Sequence, residues 1–112
     1  MTAQTSADLQ ELNFGAWEGQ RWVDIAKAEL DAWTADFAHY RPGNYGENTA
    51  AFMARVARAY DDLPKNQHTV WLTHAGVIRA CGLIHQGVRH VAQATQWPQG
   101  GPAFGCWTTL EL

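Results

Sequence analysis

The chain has 112 residues, of which 46% are hydrophobic and 17% charged, with a formal net charge of −3. That is enough apolar matter for one globular domain burying about two thirds of its unfolded surface, and too much for a disordered chain. No apolar run nears the roughly 20 residues of a membrane span, and the Lys and Arg residues are scattered, so neither a membrane nor nucleic acid is an expected partner.

Residues 1–8 are polar and lack the basic and apolar regions of a secretory signal, which makes the cytoplasm the expected compartment. Trp22, Ala26, Leu30, Trp33, Phe37 and Tyr40 recur at steps of three and four and predict a long helix over residues 20–40, stopped by Arg41-Pro42-Gly43. Asn44-Tyr45-Gly46-Glu47 has the spacing of a capping box with Asn44 as N-cap. It leads into a second helix through Phe52, Val56, Tyr60 and Leu63, ended by Pro64-Lys65-Asn66. The apolar Val70-Trp71-Leu72 reads as a short buried strand, and Val77, Cys81, Ile84 and Val88 mark a third helix. A loop over residues 92–104 holds two prolines and a Gly-Gly pair, and residues 106–112 read as a final strand. Strands among helices predict an α/β layer fold. Cys81 and Cys106 show no metal or redox spacing and read as reduced packing residues.

The turn at residues 73–76 places His74 where a strand is expected to pass into a helix. Backbone N–H groups at such a helix start favour phosphate or carboxylate. Arg79 falls about one turn into that helix, where it can position an anion or pair with a nearby carboxylate. Glu18 suits the acidic approach to a helix N-terminus, and the capping-box spacing accounts for Glu47 without chemistry.

Two segments taken together carry a family resemblance. Leu9-Gln10-Glu11-Leu12-Asn13-Phe14-Gly15-Ala16-Trp17-Glu18-Gly19 and Thr73-His74-Ala75-Gly76-Val77-Ile78-Arg79 resemble the histidine phosphatase superfamily (phosphoglycerate mutase-like), and within it the alpha-ribazole phosphatase branch. Gly46-Glu47-Asn48 stands where that branch has Gly-Glu-Ser. Gly105-Cys106 and the residues up to Leu112 look like its closing turn and strand.

The resemblance implies a single domain over residues 1–112, corresponding to the C-terminal two thirds of a three-layer α/β/α domain that lacks the family's first, central strand. It implies hydrolysis of a phosphate monoester without a metal or other cofactor. Glu11 is then the proton donor to the leaving oxygen, and His74 contacts the phosphoryl group. Gly76, Arg79 and Glu47 fall on the side that binds a phosphorylated small molecule. The family's nucleophilic Arg-His-Gly does not occur in the sequence, nor does its Ser-x-Leu-x-Arg stretch, so the expected phosphatase is weak or inactive as this chain. The alternative is a non-catalytic remnant that binds a phosphorylated ligand or a protein partner. Loss of the central strand would leave Val70-Trp71-Leu72 on an exposed sheet edge, from which a homodimer is expected.

Overall fold

The computed structural model describes residues 4–99 and 108–112, in which three α-helices follow one another: α1 (Lys27–Ala35), α2 (Thr49–Asp61) and α3 (Ala75–His85). Single 3-10 turns at Ala7–Leu9, Gly15–Trp17, Trp22–Asp24 and Ala94–Gln96 punctuate the connections.

The second of these helices begins where Asn48, in extended backbone, accepts a hydrogen bond through Oδ1 from the Ala51 N–H at 2.8 Å. Such a side-chain cap satisfies one of the N–H groups a helix start leaves without a partner. Phe52, Met53, Val56 and Ala57 then recur on one face of α2 and are buried against Val77, Ala80, Cys81 and Ile84 of α3. Full burial of side chains such as Val56 and Val77 stabilises by about 1.5–3 kcal/mol each. The pair is tied again by Tyr60 Oη and His85 Nδ1, 2.9 Å apart. Helix α3 ends in a glycine motif: the Val88 N–H donates to the Leu83 carbonyl and the Gly87 N–H to the Ile84 carbonyl, with Gly87 at φ +91°. Leu12, Phe37 and Val91 close the core from the flanking segments.

Several expectations are corrected. No strand occurs among the described residues, so the α/β layer fold, and with it the incomplete three-layer α/β/α domain, gives way to a helical arrangement with long irregular connections. Val70-Trp71-Leu72 keeps a strand's alternation, since Trp71 packs against the core while Val70 and Leu72 are 77% and 94% exposed. A strand, however, exists only through the neighbour that satisfies its backbone, and no described segment supplies one. There is consequently no sheet edge among the described residues. At the other end, Thr108–Leu112 also form no strand, and Gly105, Cys106 and Trp107 lie outside the described residues.

The long helix over residues 20–40 shrinks to α1. Ile25 and Ala26 are extended (ψ 132° and 135°), and this break lets Ile25 turn inward and become buried. The apolar recurrence is real, but its members meet as an aromatic cluster instead of one helical stripe: Trp22 stacks on Trp33 at 6.0 Å, and Trp33 on Phe37 at 5.5 Å. Asn44 is not an N-cap. It sits at φ +69° in the turn before α2, and the cap falls to Asn48.

Candidate functional site

Glu11 reaches the first turn of α3 from the far end of the chain. Its Oε2 accepts the Gly76 N–H at 3.1 Å, and its Oε1 accepts the Leu12 N–H at 3.1 Å. His74 is the N-cap residue of α3, extended at φ −121° and ψ 160°, and its side chain gives that helix no cap. The Glu11 carboxyl group therefore does what a local cap does elsewhere. Gly76 is required by this contact: a Cβ at that position would overlap the Glu11 carboxylate.

The segment bearing Glu11 is held on both sides. Thr73 Oγ1 donates to the Leu9 carbonyl at 2.6 Å, joining it to the residues just before α3. From α2, the Arg55 guanidinium donates to the Asp8 carbonyl at 2.8 Å and to the Glu11 carbonyl at 3.1 Å. The same guanidinium makes a two-pronged pair with Glu47, at 2.8 and 3.0 Å, and lies 4.7 Å from the centre of the Phe52 ring. With side chains only 12% and 19% exposed, Arg55 and Glu47 form a largely desolvated pair.

These contacts locate every residue singled out from the sequence. Glu11, Gly76 and His74 meet at the start of α3, and Arg79 lies one turn further along. Glu47 does not join them through its carboxylate, which is taken up by Arg55. Glu18 serves its own loop, accepting the Phe14 N–H at 2.8 Å. Among the remaining histidines, His39, His68 and His90 are exposed, while His85 bonds Tyr60. Arg89, beside His90, pairs with Asp61 at 2.7 Å.

Arg55 is the residue that sequence reasoning missed. The available signal was an arginine three positions after Phe52 and one before Val56, on the flank of an apolar stripe, where a guanidinium must find acceptors as its stem is buried.

Glu11, Gly76 and Arg79 line a cavity of about 410 Å³. Its other walls carry the rings of Phe14, Trp22, Trp33, Phe37, Phe52 and Trp97. The size falls within the range of about 300–1,000 Å³ typical of small-molecule sites, and the lining is mostly apolar with a few polar groups.

Set beside known proteins, residues 1–108 match the family model described as Histidine phosphatase superfamily (branch 1). The Adenosylcobalamin/alpha-ribazole phosphatase of Escherichia coli (strain K12) is 28% identical over 123 residues, covering 100% of this chain and 56% of the relative. Its counterpart in Salmonella typhimurium (strain LT2) is 27% identical over 111 residues, covering 94% and 52%. The chain thus spans about half the length of the curated relatives it matches. Among solved structures, TTHB049 from Thermus thermophilus superimposes with a TM-score of 0.57 at 32% identity, over 71% of this chain and 44% of that one. A point-mutant structure of the same Thermus protein gives 0.60 at 28% identity, over 92% and 61%.

Proposed function

The chain belongs to the histidine phosphatase superfamily, and from that premise we propose that it carries the acid and anion-binding side of a phosphate monoester hydrolase of the alpha-ribazole phosphatase kind. The observation that supports this reading is the docking of the Glu11 carboxylate onto the α3 N-terminus beside His74, across 65 positions of sequence.

A phosphoryl group at this helix start meets the positive end of the α3 dipole and the His74 imidazole. In this reading Glu11, whose segment Arg55 and Thr73 hold through its backbone, gives a proton to the leaving oxygen. Arg79 is the cation on the same helix that lines the cavity with it. No Arg-His-Gly nucleophile occurs in the 112 residues, so this chain by itself binds the monoester and turns it over slowly or not at all.

The test is hydrolysis of an aryl phosphate and of alpha-ribazole phosphate by the purified chain, run with a phosphate-binding titration beside His74→Ala and Glu11→Gln. We expect phosphate binding that is lost in His74→Ala, and any residual turnover to fall in Glu11→Gln. Failure of the unaltered chain to bind phosphate at millimolar concentration would sink the reading. Binding without any turnover would favour the non-catalytic remnant, which keeps the site and lacks the reaction.

A further inference from the structure

Gly46-Glu47-Asn48 takes no part in the proposed chemistry, yet each of its residues fixes the same neighbourhood. The Gly46 carbonyl accepts from the Arg41 Nε at 2.9 Å, and a Cβ on Gly46 would strike the Pro42 and Asn13 carbonyls. The Glu47 N–H donates to the Asn13 carbonyl at 2.7 Å, two residues beyond Glu11. Asn48 caps α2 and so fixes the start of the helix that carries Arg55 about two turns later.

Arg55 joins these contacts to Glu11. Its Nε and Nη2 hold the Glu47 carboxylate, while Nη1 reaches the Asp8 carbonyl and Nη2 also reaches the Glu11 carbonyl. A guanidinium is a flat fork with five donors, and this one serves acceptors from three residues at once; an ammonium is a point donor that does not reproduce that spread. The Glu11 segment is thus held at the Glu11 carbonyl by Arg55 and at the Asn13 carbonyl by Glu47, with Thr73 adding a tie at Leu9. From this held backbone the Glu11 side chain crosses to the Gly76 N–H.

We propose that Arg55 and Glu47 are positioning residues for Glu11: their pair sets where the Glu11 carboxyl group lies against the start of α3, and so governs the rate of proton transfer and not the affinity for phosphate. The inference rests on the proposed function for the role of Glu11 as the acid, and adds the residues that keep that acid in register. Misplacing such a group by about 1 Å costs up to about a hundredfold in rate.

The experiment is amide hydrogen exchange followed by NMR on the full chain. The Gly76 N–H lies in the first turn of α3, where backbone donors lack a partner within the helix, so the Glu11 contact is what protects it. Ala51 offers the matching amide in the first turn of α2, held locally by Asn48. Glu11→Ala gives the unprotected Gly76 rate, expected about threefold or more above the parent, as for loss of one hydrogen bond. Arg55→Lys keeps a positive charge facing Glu47 and gives up the fork, whereas Glu47→Gln weakens the pair and keeps the fork. Arg55→Lys should bring Gly76 most of the way to the Glu11→Ala rate and Glu47→Gln part of the way, with Ala51 unchanged in both. Any residual turnover of phenyl phosphate should fall in kcat by about ten- to a hundredfold in Arg55→Lys, at unchanged KM.

A Gly76 rate in Arg55→Lys equal to that of the parent would overturn the proposal. So would Gly76 and Ala51 rising together, which marks a general loss of stability, or an unchanged kcat beside a deprotected Gly76. A chain that shows the expected exchange pattern but binds no phosphate would overturn the proposed function and leave the positioning of Glu11 standing.

Discussion

Glu11 and Gly76 stand 65 residues apart in the chain, yet the Glu11 Oε2 lies 3.1 Å from the Gly76 nitrogen, in space that a side chain at position 76 would fill. The closest approach at the start of α3 is thus made by a carboxylate of the protein itself. The Gly76 N–H is the group of this helix start that holds Glu11 in place.

Two glycines of the same helix should respond in opposite directions. Gly76→Ala loses a hydrogen bond to a charged group, about 1.5–3 kcal/mol, against a gain of about 1 kcal/mol in helix propensity. The expected result is a net destabilisation of about 1 kcal/mol with weakened phosphate binding. Gly82→Ala meets nothing within 4 Å and should stabilise by about 0.5–1 kcal/mol. Urea denaturation of both proteins measures this, and a Gly76→Ala chain as stable as its parent would show that the Glu11 contact contributes nothing.

Arg55→Met should be the most damaging change outside the apolar core. It strands the Glu47 carboxylate and removes donors from the Asp8 and Glu11 carbonyls. A cost of about 2–3 kcal/mol is expected, just under the about 3–5 kcal/mol of a fully buried pair, because some solvent reaches both side chains. Glu47→Gln alone should cost less, since the two backbone contacts of Arg55 survive. Equal losses in the two variants would show that those contacts do not hold the Glu11 segment.

Acid should loosen the join between the end of α2 and the residues after α3. The Arg89 guanidinium beside Asp61 holds its carboxyl below the ordinary carboxylate value. The unfolded chain then binds more protons in this range, so the contribution is present above ordinary carboxylate pH and is lost as pH falls through the lowered value. Both groups are open to solvent, so the effect is small and screened by salt. Thermal melts from pH 7 to pH 3 should show a smaller acid loss in Asp61→Asn than in the parent. An identical loss would mean that the pair does not contribute.

A second copy of the chain is the expected cover for Val70 and Leu72. Residues 68–73 share no backbone hydrogen bond with any described segment, and two-fold antiparallel pairing about Trp71 would satisfy both copies at once. Light scattering at micromolar concentration should then give about twice the 12.5 kDa chain mass, falling to one chain in Leu72→Lys. A uniform monomer in the parent would sink this expectation.

What the sequence determined by itself was local or carried by a motif. The apolar stripes through Phe52 and Val56 and through Val77, Cys81 and Ile84 are α2 and α3, because a helix satisfies its own backbone and needs from its surroundings only something to bury one face. The Glu11 and His74 segments marked the family for the same reason, being read directly from residue order. Strands were beyond that reach. Val70-Trp71-Leu72 has the alternation, but a strand is a relation between two segments, and composition says nothing of whether a neighbour arrives. Tertiary structure alone decided that Glu11 caps α3, that Glu47 is drawn to Arg55 and away from the site, and that six aromatic residues from separate segments wall one cavity. Each depends on where the chain folds back, and that is set by the packing of α2 against α3 and not by any spacing along the sequence.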